Sequence, residues 1–161
     1  MTEPAAWLVA NVDLIRPGGR VLDVACGTGR NAVFLASRGF SVRAVDRDAH
    51  ALASLPADIT TDVIDLEAGE VSLGVRCYDA VIVFNYLHRP LMPAIVEAVA
   101  PGGVLIYETF TAAQATRGRP RNPSFLLHEG ELATLVAPLR IVRAREGDIE
   151  GKFIASVAAM R

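Results

Sequence analysis

The chain is poor in cysteine, in histidine and in long apolar runs, and each shortage excludes something. Two cysteines in 161 residues, Cys26 and Cys77, cannot build a disulfide scaffold. One sits in a glycine turn and the other before an apolar run, so reduced thiols in a cytoplasm are expected. The three histidines, His50, His88 and His128, are far apart in sequence. Neither cysteine has a partner at ligand spacing, so no metal site is expected. No apolar run approaches the ~18 residues of a membrane span, and Met1-Thr2-Glu3-Pro4 has no basic leader or cleavage pattern. A net charge of −2 gives no electrostatic footprint for nucleic acid. What the chain does have is 52% hydrophobic residues, an excess that suits strands buried on both faces. Its length suits one domain with one core.

The richest stretch is Val21-Leu22-Asp23-Val24-Ala25-Cys26-Gly27-Thr28-Gly29-Arg30-Asn31. An apolar run climbs to Asp23, breaks at two glycines and passes into a helix-like pattern. That reads as a buried strand, a tight turn and a helix N-terminus, where a β-α-β fold holds a small charged cofactor. Ser41–Val45 is the next strand, and Asp46 stands at its C-terminal end.

Two readings of this turn compete. Gly27-x-Gly29-x-x-Ala32, with Asp46 about 20 residues on, fits the dinucleotide fingerprint. Asp23 opposes that reading, because its carboxylate would face a pyrophosphate. S-adenosylmethionine carries an α-ammonium that Asp23 can face, directly or through water, and a ribose diol for Asp46. The helix start near Thr28 offers unpaired N–H groups and partial positive charge. Gly27 and Gly29 let the backbone approach without a Cβ in the way. The plainer alternatives are that Asp23 is a buried acid pinning the turn and that Asp46 is an ordinary strand-end acid. Arg30-Asn31 opens the helix with a cation that opposes the dipole. That hints at an anionic or carboxylate partner, unless it is simply a solvated first turn.

Leu22-Asp23-Val24-Ala25-Cys26-Gly27-Thr28-Gly29 resembles the first motif of class I S-adenosylmethionine-dependent methyltransferases, and Val42-Arg43-Ala44-Val45-Asp46-Arg47-Asp48 resembles their second-strand motif. Ile64-Asp65-Leu66, Tyr78–Val83 and Pro101–Ile106 continue the match in the family's order and spacing. The resemblance covers nearly the whole chain. One departure is Ala25, where many members carry glycine; an alanine suits a negative φ there.

The resemblance implies an adenine site at Asp65 and Leu66, with Asp62 as the rival acid. It also places Ala25 and Arg47 beside Asp23, Gly27, Gly29 and Asp46 around the cofactor. Phe84–Pro90 follows the fourth strand on the carboxyl edge of the sheet, where ligands bind in open α/β folds. Asn85 is a candidate for the cofactor's methionine portion. Tyr86, His88 and Arg89 are candidates for the acceptor side, unless His88 caps the next helix and Tyr86 packs under it. The segment lacks the Asn/Asp-Pro-Pro-aromatic sequence of adenine-amine methylation, so nothing supports a nucleobase amine. Methyl transfer needs mainly alignment and desolvation. His88 is the candidate base for a protonated nucleophile, and a thiolate or oxyanion acceptor would need none.

Alternation of strands and helices implies a parallel, doubly wound sheet. Strands are expected at 20–25, 41–45, 59–64, 79–84 and 103–109, and helices at 4–15, 28–37, 48–55 and 91–100. The tail reads as a helix over 129–136, a strand over 139–145, a loop over 146–151 and a last strand over 152–159. The expected fold class is therefore α/β, a Rossmann-like seven-stranded sheet, mostly parallel with an antiparallel C-terminal hairpin, over residues 1–161 as a single domain.

Gln114–Pro123 breaks the pattern. Arg117, Arg119 and Arg121 stand among glycine and prolines as a positive loop that serves solubility, or as a lid or anion-attracting rim. With Gly29-Arg30-Asn31, this stretch through Leu132 is similar to small bacterial methyltransferases of the tellurite-resistance type, which suggests a small or anionic acceptor.

The expectation is a cytoplasmic methyltransferase, monomer or homodimer, that leaves S-adenosylhomocysteine as product and acts on a small molecule, with no nucleic acid and no membrane. Only 19 residues precede the first strand. A cofactor-binding subunit or inactive relative that needs a partner chain is therefore the alternative. A nicotinamide-dinucleotide domain is the weaker one.

Overall fold

The computed structural model describes residues 2–161. The valine- and isoleucine-rich segments form one seven-stranded sheet. Its strands are β1 (Arg20–Val24), β2 (Ser41–Asp46), β3 (Thr60–Val63), β4 (Tyr78–Phe84), β5 (Val99–Phe110), β6 (Arg140–Ile149) and β7 (Lys152–Met160). Their spatial order is β3-β2-β1-β4-β5-β7-β6. The pairs among β1 to β5 are parallel, and β7 runs antiparallel to both β5 and β6.

Side chains alternate between two apolar layers, as the pleat demands. Ala80, Ile82 and Phe84 of β4 face one layer with α1 (Ala6–Asn11), α2 (Arg30–Ser37) and α3 (Ala49–Ala53). Val81 and Val83 face the other, with α4 (Met92–Ala98) and α5 (Glu131–Leu135). Burial on both sides explains the runs of uninterrupted hydrophobics. Trp7 locks α1 to the antiparallel end by donating its indole N–H to the Val157 carbonyl at 3.0 Å. No helix among the described residues is long and apolar enough to cross a membrane.

Three local expectations change. The first helix is shorter than 4–15, ending at Asn11 and tightening into a 3-10 turn over Val12–Leu14. The fifth strand begins at Val99, paired with Tyr78, rather than at Gly103. The expected loop over 146–151 is mostly strand: Glu146, Gly147, Asp148 and Ile149 pair with Ala155, Ile154, Phe153 and Lys152. The turn itself is only Glu150-Gly151, both at positive φ (51° and 85°). Left-handed central residues match a two-residue turn to the twist of its strands.

Because the chain builds outward from β1 to β3 and then returns to β4 beside β1, the winding reverses between β1 and β4. Ligands in open α/β sheets bind at the carboxyl ends of the strands at such a point. On the opposite edge, a Cβ added to Gly103 would meet the carbonyl oxygens of Ala100 and Tyr78 at 2.9 Å and that of Asp79 at 3.0 Å. Gly103→Ala is expected to cost about 1–3 kcal/mol, the usual range for overpacking. Gly118→Ala, with nothing within 4 Å of the added carbon, is the control. Urea unfolding of both variants checks this; equal midpoints would refute it.

Candidate functional site

The chain leaves β1 through Ala25, whose φ is +54°, and leaves β4 through Asn85, whose φ is +58°. The negative φ expected at Ala25 is therefore corrected. The chain must turn sharply so that the Cys26 N–H can reach the Val45 carbonyl of β2 at 3.1 Å. Left-handed geometry at a residue with a Cβ costs about 1–3 kcal/mol and collects at ligand clamps. Here two such residues stand at the switch point.

Asp46 fixes the turn from the neighbouring strand. Its Oδ2 accepts from the Gly27 N–H at 2.8 Å and its Oδ1 from the Asp48 N–H at 2.9 Å. Each carboxylate oxygen has a second lone pair for another donor. Gly29, at φ +80°, is the N-cap of α2, and no side chain caps that helix.

Asp23 lies on the α2 face of β1 and is 3% exposed. Its Oδ2 has no hydrogen-bond partner. Burial pushes this carboxyl up to about 8, against the pull of the nearby Arg30 guanidinium and the Ala32 N–H. The Asp46 charge adds to the rise. Asp23, Gly27, Thr28, Arg30, Asn31 and Asn85 help line a cavity of about 230 Å³. An orphaned acid facing a cation across a small cavity fits an amino acid's ammonium and carboxylate. The Arg30 Nη1 also donates to the Glu3 carbonyl at 3.0 Å.

A second cavity of about 910 Å³ shares Ala25 and Asn85 with the first. Asp46, Arg47, Asp65 and Leu66 line the part beneath β2 and β3. Asp65 accepts from the Glu67 N–H at 3.1 Å. Its rival Asp62 is outside the lining, paired with the Arg43 Nε at 2.6 Å. The Tyr86 hydroxyl is buried without a partner. Burial, with the Glu67 and Asp65 charges adding to it, pushes Tyr86 up to about 12.

Other predicted residues stand apart from the lining. His88 places its Nδ1 3.6 Å from the Glu67 Oε1. Arg89 grips Glu131 with two bonds, of 2.6 and 2.8 Å, and donates to the carbonyls of Leu126 and Ser124 at 2.9 and 3.4 Å. That grip holds the Glu131 carboxyl down to about 2. Arg117 pairs with Asp148 at 2.8 Å and lies 4.4 Å from the Phe153 ring centroid. Arg119 and Arg121, by contrast, line the larger cavity with Phe110 and Phe125, neither of which sequence reasoning singled out. The available signal was an aromatic residue, Phe125, in an otherwise polar, proline-rich loop.

Comparisons place this geometry in context. The family model described as "TehB: Tellurite resistance protein TehB" matches residues 1–150. "Hemagglutinin 1" of Eikenella corrodens is 29% identical over 140 residues, which is 79% of this chain and 46% of that protein. The "Probable S-adenosyl-L-methionine-dependent methyltransferase TehB" of Haemophilus influenzae is 29% identical over 112 residues, 63% of this chain and 38% of that protein. The chain thus spans less than half the length of these curated relatives. The crystal structure of TehB from Haemophilus influenzae aligns with a TM-score of 0.79 at 22% identity, covering 100% of this chain and 63% of that one. An S-adenosylmethionine-dependent methyltransferase from Mesorhizobium loti aligns at 0.77 and 18%, covering 98% of each. These likenesses show the fold to be the Rossmann-like sheet of that enzyme class.

The buried acid gives the site a pH signature. The folded protein keeps Asp23 protonated up to about 8, whereas the unfolded chain ionises near the ordinary aspartate value of about 4. The folded state therefore binds more protons between those limits. The stability this supplies is complete below about pH 4 and is lost as pH rises through about 8. Asp23→Asn cannot ionise and escapes the loss. Its melting temperature relative to the parent should climb across that window and then level off. A pH series of thermal melts showing a constant offset would contradict the assignment.

Proposed function

The chain belongs to the TehB tellurite-resistance protein family, and from that premise we propose that it is an S-adenosylmethionine-dependent methyltransferase acting on a small acceptor, with residues 1–161 as one catalytic domain. The observation that carries this reading is the Asp23 Oδ2, buried and unpartnered at the glycine turn. A buried acid without a partner is costly, and a cationic amine is the ligand that relieves that cost.

The remaining residues supply the rest of the recognition. Arg30 and the start of α2 offer positive charge to a carboxylate. Asp46 has free lone pairs for ribose hydroxyls, and Arg47 lines the same stretch of the cavity. Asp65 and the backbone at Leu66 line the same cavity and offer an acceptor and a donor that suit an adenine edge, and Asn85 lines both cavities. When bound, the cofactor supplies a methyl group already activated on a sulfonium.

The chain's own task is to hold donor and acceptor in line and to exclude water. Tyr86 suits that task as a neutral hydroxyl beside the acceptor. A tyrosine hydroxyl is protonated at neutral pH, and burial pushes Tyr86 higher still, so it can donate or accept a hydrogen bond without acting as a base. His88 is not among the residues lining the cavity, and its Nδ1 lies 3.6 Å from the Oε1 of Glu67, which is. The reaction therefore depends on positioning more than on proton transfer. A reducing cytoplasm suits the two free cysteines, Cys26 and Cys77.

Titration calorimetry with S-adenosylhomocysteine tests the reading. Asp46→Ala should weaken binding by at least about tenfold, since a hydrogen bond to a charged acceptor is worth about 1.5–3 kcal/mol. Asp23→Asn should weaken it as well. Unchanged affinity in both variants, or binding of NAD(H) in place of S-adenosylhomocysteine by the parent protein, would overturn it.

A further inference from the structure

We propose that the methyl acceptor is an organic anion with an apolar, ring-sized body, its charge held by Arg119 and Arg121 and its body laid against Phe110 and Phe125. The proposal rests on the methyltransferase reading above and names the substrate class of that same site.

Size is the first argument. At about 910 Å³ the larger cavity lies at the upper end of the roughly 300–1,000 Å³ of small-molecule pockets. The cofactor-facing acids Asp46 and Asp65 occupy only its β2–β3 end. Strand order places Thr109 and Phe110 of β5 on the far side of β1 and β4 from those acids. One cavity therefore reaches from the ends of β2 and β3 to β5, with room for a second molecule beside the β5 end.

Charge is the second. Arg43, Arg76, Arg89, Arg117, Arg143 and Arg145 all pair with carboxylates. Among the described residues the Arg38, Arg47, Arg119, Arg121 and Arg140 side chains make no ion pair or hydrogen bond; of these, Arg47, Arg119 and Arg121 line the cavity, and Arg47 follows β2 at the end lined by Asp46 and Asp65. An anion bound against Arg119 and Arg121 would therefore meet two cations that no carboxylate of the chain neutralises.

The third argument is that the apolar wall is fixed. Phe125 is 48% exposed, one of few large apolar side chains left open to solvent. Its loop is nevertheless tied down on both sides. Arg89 donates to the carbonyls of Ser124 and Leu126, which flank Phe125. The Leu127 N–H donates to the Phe110 carbonyl at 3.0 Å, which sets the two aromatic residues relative to each other. An inorganic oxyanion would satisfy the arginines and leave Phe125 wet. A neutral aromatic would cover Phe125 and leave the cations unpaired. A molecule with both parts does both.

The test uses the full chain saturated with S-adenosylhomocysteine and three probes: 2-naphthoate, its neutral analogue 2-naphthylmethanol, and acetate. Calorimetry should find 2-naphthoate bound at least about tenfold more tightly than either of the others, a difference of about 1.4 kcal/mol. The double variant Arg119→Ala/Arg121→Ala and the single variant Phe125→Ala should each lose most of that preference while keeping their affinity for S-adenosylhomocysteine. Equal binding of acetate and 2-naphthoate would reduce the site to an anion rim and overturn the proposal. Equal binding of the alcohol, or full binding by the double variant, would also overturn it. If the parent protein does not bind S-adenosylhomocysteine at all, the methyltransferase reading falls and takes this proposal with it. If S-adenosylhomocysteine binds and the probes are not discriminated, only the acceptor class falls.

Discussion

The hydrogen bond from the Gly27 N–H to the Asp46 carboxylate, 2.8 Å long, is the contact on which the site depends. It joins the turn after β1 to the end of β2. The sheet register makes it possible: Val24 pairs with Val45, so Asp46 falls one residue beyond the last paired position of β1. The Cys26 N–H takes the Val45 carbonyl, and the next N–H reaches the Asp46 side chain. Two consecutive bonds to β2 force Ala25 into the left-handed region and set Gly29 as the start of α2. They also decide what becomes of Asp23. Both acids could have accepted from the glycine turn. Asp46 does so, and Asp23 keeps a buried oxygen with nothing to hold.

That division of labour sets stability against function. Asp46 is half-exposed and satisfied, so it costs the fold little. Asp23 is buried and half-satisfied, so the fold holds it protonated while the unfolded chain ionises, and stability falls between about pH 4 and pH 8. Arg30, at the first position of α2, moderates the cost by lying close enough to lower the Asp23 pKa. Its unfavourable place against the helix dipole, odd when read from sequence, has this local reason. On the proposed reading Asp23 is an acid held in reserve for an amine, and burial raises the strength of that contact together with its cost.

Much of the fold was legible because it follows from local pattern. Val-rich runs with glycine turns between them read as parallel strands, and the change of rhythm after Glu129 read as an antiparallel end. The strand over Glu146–Ile149 was not legible. It lies at the sheet edge, and its partner β7 carries the buried residues, so its own sequence looks like a polar loop. The conformation of Ala25 was hidden for a different reason: the demand for a left-handed turn comes from the Val45 carbonyl on another strand. Tertiary neighbours also sorted chemically equivalent candidates. Arg43 takes Asp62 and leaves Asp65 to the cavity. Asp148 and Phe153 take Arg117 and leave Arg119 and Arg121. Glu131, 42 residues along the chain, takes Arg89. No spacing rule within a segment could have separated these pairs.

The same sorting explains how one sheet edge holds two chemistries apart. Carboxylates collect at the ends of β1, β2 and β3, while arginines and aromatic residues collect on the loop beyond β5. Asn85, at the end of β4, lies between them and borders both cavities. The Arg89–Glu131 pair keeps the second group in place: it lies just after β4, binds the start of α5, and holds the loop carrying Phe125 through backbone carbonyls rather than side chains. Such a clamp leaves the side chains of that loop free to vary without loosening its course. The acid-lined end has no such freedom, because Asp46 serves the turn as well as the cavity. On the proposed assignment, a change of acceptor can therefore arise in the loop alone, while a change of cofactor would require rebuilding the junction between β1 and β2.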